Sequence, residues 1–245
     1  EFMQKSPLNL IKEMGSLKIF DPPIFAIAST KDPIFELLKE ETVIGPHHMK
    51  PEEWLPGALT VVTYFLPFSY KIREANHKQG IPAIEWLYGR IEGECFNKAF
   101  REFLNDWFIQ KGYQSVAPSS DSRQKTLGFK SNWSERHAAY IAGLGTFSLS
   151  CSLITAKGSA GRLGSLITNA DLEITKRPYV KREEYCAHCC ACIFRCPPLA
   201  IHEEGKDHQV CSDYLSRVKT RFNPRYGCGK CQTNVPCEDK IPKQQ

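Results

Sequence analysis

The 245-residue chain has no long apolar stretch. None of its hydrophobic runs approaches the roughly 18 residues that a membrane-spanning helix needs, so we expect no membrane partner. No secretory signal peptide or twin-arginine leader is visible, and we therefore expect a cytoplasmic protein. Blocks of five like charges are also missing, although the net charge is +5. Scattered charge of this kind is typical of a solvated surface rather than of a nucleic-acid footprint.

The signatures of several common enzyme classes are missing as well. The first 178 residues contain no phosphate-binding P-loop and no spacing of serine, histidine and aspartate that suggests hydrolysis. Gly143-Leu-Gly145 is half of a dinucleotide-binding fingerprint, but Ser148 replaces the third glycine and a predicted helix, not a strand, precedes the motif. A dinucleotide site is therefore only weakly indicated.

Cysteine is scarce in most of the chain and dense near its end. Only Cys95 and Cys151 precede residue 186, whereas nine cysteines fall between residues 186 and 237. A disulfide scaffold would spread its cysteines through a small secreted chain. Clustered cysteines in a cytosolic protein are typical of metal ligands. Because exposed clusters are oxygen-sensitive, we expect a reducing and anaerobic cytoplasm.

The cysteine-rich segment begins with the spacing C-x2-C-x2-C-x3-C-P. This is the run of bacterial ferredoxins, in which three thiolates hold one iron–sulfur cluster and the fourth binds a second cluster. Later cysteines complete two sets of four, and the remaining Cys190 is expected to point away. The interleaved assignment predicts, for the first cluster, Cys186, Cys189, Cys192 and Cys237. For the second cluster it predicts Cys196, Cys211, Cys228 and Cys231.

Zinc is the alternative metal, because paired C-x2-C units also form four-cysteine zinc sites. The third cysteine of the run and its Cys-Pro ending favour iron, since neither is a zinc-finger feature. The second half of the segment does not repeat the first, as it would in a small ferredoxin. This asymmetry indicates a module for electron transfer that is fused to a catalytic or cofactor-binding domain.

Hydrophobic patterns predict an α/β (α+β) core over residues 4–178, followed by the cysteine domain over residues 179–245. Residues 1–3 are set aside because they resemble a cloning remnant. Strands are expected at Ile24–Ala28 and Leu59–Leu66, and a helix is expected at Ile84–Gln110.

Less regular segments are also assigned. The polar stretch 70–80 is expected to be a loop. Residues 134–142 predict a helix, and the stretch 152–168 predicts two strands joined by a glycine turn.

Several motifs together indicate a family. They are Tyr226-Gly-Cys-Gly-Lys-Cys-Gln232, Glu135-Arg136-x-Ala-x-x-x-Ala-Gly143-Leu-Gly145, Gly161-Arg-Leu-Gly164, Trp54-Leu-Pro-Gly-Ala58 and Tyr88-Gly-Arg90. With these motifs the chain resembles the epoxyqueuosine reductase family over roughly residues 54–242, and the match is specific from about Glu135 onward. The reductive dehalogenases are relatives of that family.

The resemblance implies a nitroreductase-like α/β core that binds cobalamin, followed by a ferredoxin-like double [4Fe-4S] domain that supplies electrons. It also implies a cofactor site between the two domains. The residues expected there are Arg136, Gly143, Gly145, Phe147, Ser148, Gly158, Ser159, Arg162 and Gly164. The alternative for these segments is tight packing of helix against strand with a buried salt bridge.

Two departures from the family pattern concern the substrate. The family places an acidic proton donor six residues before the Glu-Arg pair, where this chain has Phe129. Lys130 and Tyr140 are the substitute donors that we consider first, and Tyr64, Tyr70 and Tyr88 are further candidates. Longer members also carry a C-terminal helical-repeat extension that helps to bind tRNA, and this chain stops at Gln245. Both departures count against tRNA and favour a small molecule or a modified nucleoside as substrate.

Three functions follow as hypotheses. The first is a cobalamin-dependent iron–sulfur reductase that receives electrons from an external donor such as ferredoxin or flavodoxin. The second is an electron-transfer protein that reduces or activates a corrinoid or flavin on a partner. The third is an iron–sulfur flavoprotein with FMN in the core. The cofactor that the protein retains separates the three.

Overall fold

The computed structural model describes residues 1–243, so residues 244–245 of the predicted cysteine domain lie outside the described residues. The helices are α1 (Phe2–Lys5), α2 (Ile34–Leu37), α3 (Pro51–Trp54), α4 (Tyr70–Ala75), α5 (Ile84–Gln110), α6 (Glu135–Ile141), α7 (Ala191–Arg195) and α8 (His208–Phe222). The strands are β1 (Leu10–Ile11), β2 (Leu17–Lys18), β3 (Ile24–Ser29), β4 (Thr60–Pro67), β5 (Ser115–Val116), β6 (Thr126–Leu127), β7 (Lys130–Ser131), β8 (Gly145–Phe147), β9 (Leu153–Thr155), β10 (Gly161–Thr168), β11 (Ile201–His202) and β12 (Gly205–Lys206). Within residues 1–243, every helix is too short or too polar to cross a membrane.

A four-stranded antiparallel sheet lies at the centre of the core, in the order β3-β4-β10-β5. Its strand β4 is a run of β-branched and aromatic residues, and all eight of its residues are buried. A strand covered on both faces shows this continuous apolar pattern instead of alternation. The prediction of a central strand at Leu59–Leu66 is confirmed.

Helices cover both faces of the sheet, and alternate residues of β4 pack into two different cores. On one face Tyr64 and Leu66 join the cluster that contains the aromatic stripe of α5, with the rings of Tyr64 and Phe100 5.0 Å apart. On the other face Val61 and Phe65 pack with α6 and its neighbours. The sheet therefore places α5 and α6 on opposite sides of the core.

Helix α5 occupies the predicted residues 84–110. At its middle, a Cβ on Gly93 would lie 2.9 Å from the ring of Phe20, so glycine permits the helix to approach that ring closely. Phe2, which the sequence analysis set aside, stacks on Phe103 of the same helix with ring centroids 4.6 Å apart. The residues before the predicted start of the core therefore pack against it.

One prediction of local structure is wrong, and another is confirmed. The stretch 70–80 is not all loop, because α4 forms at Tyr70–Ala75 with Ile72 buried beneath it. The stretch 152–168 does contain two strands, but they do not pair with each other. Strand β9 pairs with β8, and β10 pairs along its whole length with β4. Long-range pairing decides both partners, and a short sequence window does not contain that information.

The cysteine domain docks on the core through charged groups that are largely buried. Arg73 donates to Glu238 at 2.7 Å, and both side chains are at most 10% exposed. Arg195 and Lys230 donate to the backbone carbonyls of the segment 76–78 over 2.6–3.1 Å. These contacts join α4 and the loop after it to both ends of the cysteine domain.

Gly158→Ala should weaken this docking strongly. Gly158 has φ +73°, and a Cβ there would lie 2.2 Å from the carbonyl oxygen of Glu238. We expect a loss of about 3 kcal/mol or more in the free energy of unfolding, measured by chemical denaturation. Gly112→Ala is the matched control, because Gly112 also has positive φ but nothing within 4 Å of the added Cβ. It should cost only about 1 kcal/mol, and equal losses in the two variants would contradict the packing role of Gly158.

Candidate functional site

A cleft lies where the core meets the cysteine domain, and it consists of two neighbouring cavities. The cysteine-side cavity, of about 370 Å³, reaches Trp86, Gly161 and Cys228. The hairpin-side cavity, of about 690 Å³, lies beside the β6–β7 hairpin and reaches Ile44 and Arg182. Both are lined by Phe129, Arg136, Cys151 and His208. These shared walls make the two cavities parts of one cleft.

The predicted cysteine ligands fall into two spatial groups. The cysteine-side cavity is lined by Cys196, Cys211, Cys228 and Cys231. A separate small space is lined by Cys186, Cys189, Cys192 and Cys237. These groups have the same members as the interleaved assignment. Cys190 also lines the small space, although its thiol donates to the carbonyl oxygen of His188 at 3.4 Å.

Burial raises the pKa of thiols in both groups. It raises the pKa of Cys192 and of Cys228 to about 12. Neighbouring thiols add to the effect, and for Cys192 the first of these is Cys231 of the second group. Burial likewise raises the pKa of Cys237 to about 11, although the Ser159 hydroxyl, 3.8 Å from the Cys237 sulfur, acts in the opposite direction. Metal binding at these thiols must therefore displace protons. No group of three or more His, Cys, Asp or Glu side chains within residues 1–243 has the geometry to hold a metal ion.

The start of α6 directs two neighbouring charges in opposite directions. Ser134 caps the helix by accepting from the amide of His137. The carboxyl of Glu135 turns into the core, where Ser119 donates to it at 2.5 Å and burial raises its pKa. Arg136, one residue later, is exposed and lines both cavities. The helix therefore presents a cation, without its neighbouring carboxylate, to the cleft.

Besides Arg136, several of the predicted cofactor residues line the cleft or lie beside the thiols. Arg162 lines the cysteine-side cavity and donates to the carbonyl oxygen of Arg90 at 2.6 Å, and burial lowers its pKa to about 10. Phe147 lines the hairpin-side cavity. Ser148 lines the small space around the first thiol group, and Ser159 adjoins Cys237.

The predicted glycines pack closely against other segments of the chain. The described lining of either cavity does not include Gly143, Gly145, Gly158 or Gly164. A Cβ on Gly145 would lie 2.1 Å from the carbonyl oxygen of Ile154, and one on Gly164 would lie 2.2 Å from the hydroxyl of Tyr64. The packing alternative considered for these segments accounts for these contacts, and the cofactor role of the glycines stays a prediction.

The two candidate proton donors occupy different positions. Lys130 lines the hairpin-side cavity, and its ammonium donates to the carbonyl oxygen of Glu41 at 3.1 Å. Tyr140 lies outside the described lining of the cleft, and its hydroxyl donates to the carbonyl oxygen of Val180 at 3.4 Å. Of the two, Lys130 is the donor that a molecule in the cleft could reach.

Sequence reasoning missed three residues that line both cavities. Phe129 appeared only as the residue that replaces an acid, and it stacks on His208 with ring centroids 5.7 Å apart. Cys151 precedes the cysteine-rich segment, and its backbone has φ +60°. An unfavourable φ at a non-glycine residue often marks a functional site, but φ is not readable from a sequence. The approach of α8 to the β6–β7 hairpin brings His208 to Phe129. Cys151, from the segment between β8 and β9, lines both cavities with them.

His137 lines the hairpin-side cavity, and His48 lies near enough to His137 to influence its pKa. Burial lowers the pKa of His48 to about 4 and that of His137 to about 3. His48 is 1% exposed, stacks on Trp133, and has no hydrogen-bond partner for either ring nitrogen among the described residues. The adjacent His47 sits in the same loop, and no metal site forms there within residues 1–243.

Comparison with known proteins identifies relatives. No family model matches the chain. A curated protein from Bacillus subtilis (strain 168), named epoxyqueuosine reductase, is 27% identical over 199 residues, or 76% of this chain and 49% of that protein. One of the same name from Vibrio cholerae is 25% identical, over 82% of this chain and 56% of that protein. The resemblance to epoxyqueuosine reductases is confirmed. The chain spans about half the length of the curated relatives it matches.

Solved structures share the fold. A selenomethionine-labelled epoxyqueuosine reductase has a TM-score of 0.59 and 21% identity, covering 93% of this chain and 63% of that one. A catabolic reductive dehalogenase has a TM-score of 0.57 and 14% identity, covering 89% of this chain and 30% of that one. These similarities confirm a mixed α/β fold that epoxyqueuosine reductases share with reductive dehalogenases.

The free energy of unfolding should fall as the pH drops from 6.5 to about 4, because His48 stays neutral in the folded protein after it has become protonated in the unfolded chain. Between these pH values, each such histidine changes the free energy of unfolding by about 1.4 kcal/mol per pH unit. His48→Phe removes the titrating ring and should reduce the slope by that amount, as measured by chemical denaturation at several pH values. His202→Gln alters an exposed histidine and should leave the slope unchanged. An unaltered slope in His48→Phe would refute the assignment.

Proposed function

We propose that the chain is a cobalamin-dependent iron–sulfur reductase. Its core would be nitroreductase-like and its cysteine domain ferredoxin-like, as in the family it resembles. The observation that carries the proposal is a shared wall: the second group of thiols lines the same cavity as Arg136 and Arg162. When bound, [4Fe-4S] clusters supply single electrons and a cobalamin supplies a cobalt centre for the reduction.

The thiols suit two [4Fe-4S] clusters. In such a cluster each thiolate binds a different iron, so four sulfurs surround a space and need not meet at one point. One set of ligands would be Cys186, Cys189, Cys192 and Cys237, and the other would be Cys196, Cys211, Cys228 and Cys231. Leu149 and Ile201 pack with several of these cysteines. Such an apolar surrounding limits water access, which tunes a redox potential.

The cleft suits a large flat cofactor with polar edges. The position of the cysteine-side cavity against the second thiol group would allow a corrin ring to lie there, beside the electron source, and would leave the hairpin-side cavity to the substrate. Arg162, which lines the cysteine-side cavity and not the hairpin-side cavity, would hold a polar group of the cofactor through its guanidinium donors.

The relatives suggest two kinds of substrate. One solved epoxyqueuosine reductase is described with an epoxyqueuosine-modified tRNA stem loop, and one reductive dehalogenase with 3-bromo-4-hydroxybenzoic acid. Another dehalogenase structure is described in terms of B12-dependent dehalogenation. For this chain we propose a small molecule or a modified nucleoside, with electrons delivered by a ferredoxin or flavodoxin.

Lys130 is the residue that we assign as proton donor. Its ammonium lies at the wall of the hairpin-side cavity beside Phe129, which occupies the family position of the acid. A lysine there delivers a proton to a reduced substrate and is then recharged from solvent, because its side chain is exposed.

Protein reconstituted anaerobically with iron and sulfide should contain about eight iron atoms per chain. It should also retain one cobalamin per chain, as measured from its absorption spectrum. Cys237→Ser should lose the cluster of the small space, and Cys211→Ser the cluster of the cysteine-side cavity, each removing about half of the iron. Cys190→Ser is the matched control and should keep all of it. A colourless zinc protein, or retention of FMN in place of cobalamin, would overturn the proposal.

Lys130→Ala should reduce turnover by about 100-fold, a typical contribution of a general acid. The assay would use the epoxyqueuosine-modified stem loop and 3-bromo-4-hydroxybenzoic acid in turn, with chemically reduced ferredoxin as donor. Lys125→Ala, an exposed lysine of the same segment, should leave turnover unchanged. Full turnover in Lys130→Ala, with iron and cobalamin content unchanged, would exclude Lys130 as the donor.

A further inference from the structure

We propose that the hairpin-side cavity binds the substrate by an anionic group, a carboxylate or a phosphate, carried on a flat apolar body. This inference rests on the proposed reductase function and names the class of substrate that the cleft accepts. It is carried by the charges and rings that line the cavity.

The cavity has cations and lacks carboxylates. Its lining includes Lys130, Arg136 and Arg182. Among residues 1–243, no aspartate or glutamate lines this cavity or the cysteine-side cavity. Unlike charges that are scattered over a surface, three cations that face one cavity create a positive potential inside it. An anion that enters this cavity is therefore attracted.

Two of these cations have N–H donors that are not used in hydrogen bonds within the described part of the chain. Within the described part of the chain, Arg136 makes no ion pair and no hydrogen bond. Arg182 pairs only with its neighbour Glu183, at 3.0 Å, and lies over the ring of Phe147 at 5.2 Å. A guanidinium carries five N–H donors, so most of those on these two side chains remain available to an oxyanion.

The charge in the hairpin-side cavity is not balanced by the thiol groups. In the cysteine-side cavity Lys206 adjoins Cys211 and Cys231, so bound clusters would offset its charge there. The lining of the hairpin-side cavity includes none of the eight predicted ligand cysteines.

The remaining walls are apolar and partly open to solvent. The tip of the β6–β7 hairpin exposes Leu127 by 71% and Phe129 by 57%, an unusual exposure for two large apolar residues so close together. Phe147 and Ile44 line the same cavity. Aromatic rings offer faces on which a flat ligand stacks. Cations beside such faces favour an anion whose body is apolar over a fully hydrated ion.

Equilibrium dialysis of the cluster-loaded full chain with cobalamin tests the inference. Benzoate and phenyl phosphate are the anionic probes, and benzamide is the uncharged analogue of benzoate. We expect at least one anionic probe to bind about tenfold more tightly than benzamide, because one charge-assisted hydrogen bond has roughly that effect. The affinity of that probe should fall as the salt concentration rises. Binding of the modified RNA stem loop without binding of either anionic probe would overturn the inference in favour of nucleic acid.

Variants locate the site. Arg182→Gln should weaken binding of that anionic probe about tenfold, and Arg182→Lys should restore part of it. Arg217→Gln is the matched control, because Arg217 is exposed and lies outside the described lining of the cleft. Equal affinity in Arg182→Gln and in the unaltered protein would overturn the assignment. Cobalamin retention, read from the spectrum of the same samples, reports on the proposed function separately.

Discussion

The buried charges between the core and the cysteine domain are the constraint on which the rest of the structure depends. Arg73 and Glu238 form an ion pair that water hardly reaches, and Lys230, which is fully buried, donates to the carbonyl oxygens of residues 76 and 78. Removing one member of a buried pair typically costs about 3–5 kcal/mol, because the other charge is left without a partner. The core and the cysteine-rich segment are therefore held in one relative position.

That position creates the cleft. Ser159 and Gly158 meet the segment of Cys237 and Glu238 through backbone contacts, with the amide of Ser159 donating to the carbonyl oxygen of Cys237 at 2.8 Å. The second thiol group then faces Arg162 of β10 across the cysteine-side cavity. A cysteine-rich segment that docked elsewhere would leave its thiols against solvent. Here one cavity wall consists of potential cluster ligands and the opposite wall consists of the core.

The electrostatics of the cleft follow from the way α6 begins. The carboxyl of Glu135 lies inside the core, beneath Ser119, while Arg136 extends into the cleft. Because burial separates the two charges, the arginine is not neutralised by its sequence neighbour. With Phe129 in place of an acid on the hairpin, the cleft lining in the described part of the chain is cationic and aromatic. Substrate choice, in our proposal, depends on this combination.

The sequence by itself determined the central strand and the long aromatic helix, because each depends on periodicity along the chain. Its cysteine spacing also predicted two sets of thiols, and these line separate cavities. The sequence also indicated Arg136 and Arg162, which line the cleft. Only the tertiary structure decided which strands pair, that the predicted glycines pack chain against chain, and that Cys151 and His208 meet Phe129. The physical reason is distance: close backbone approach and like-charge crowding arise between residues that are far apart in sequence, and no local pattern records them.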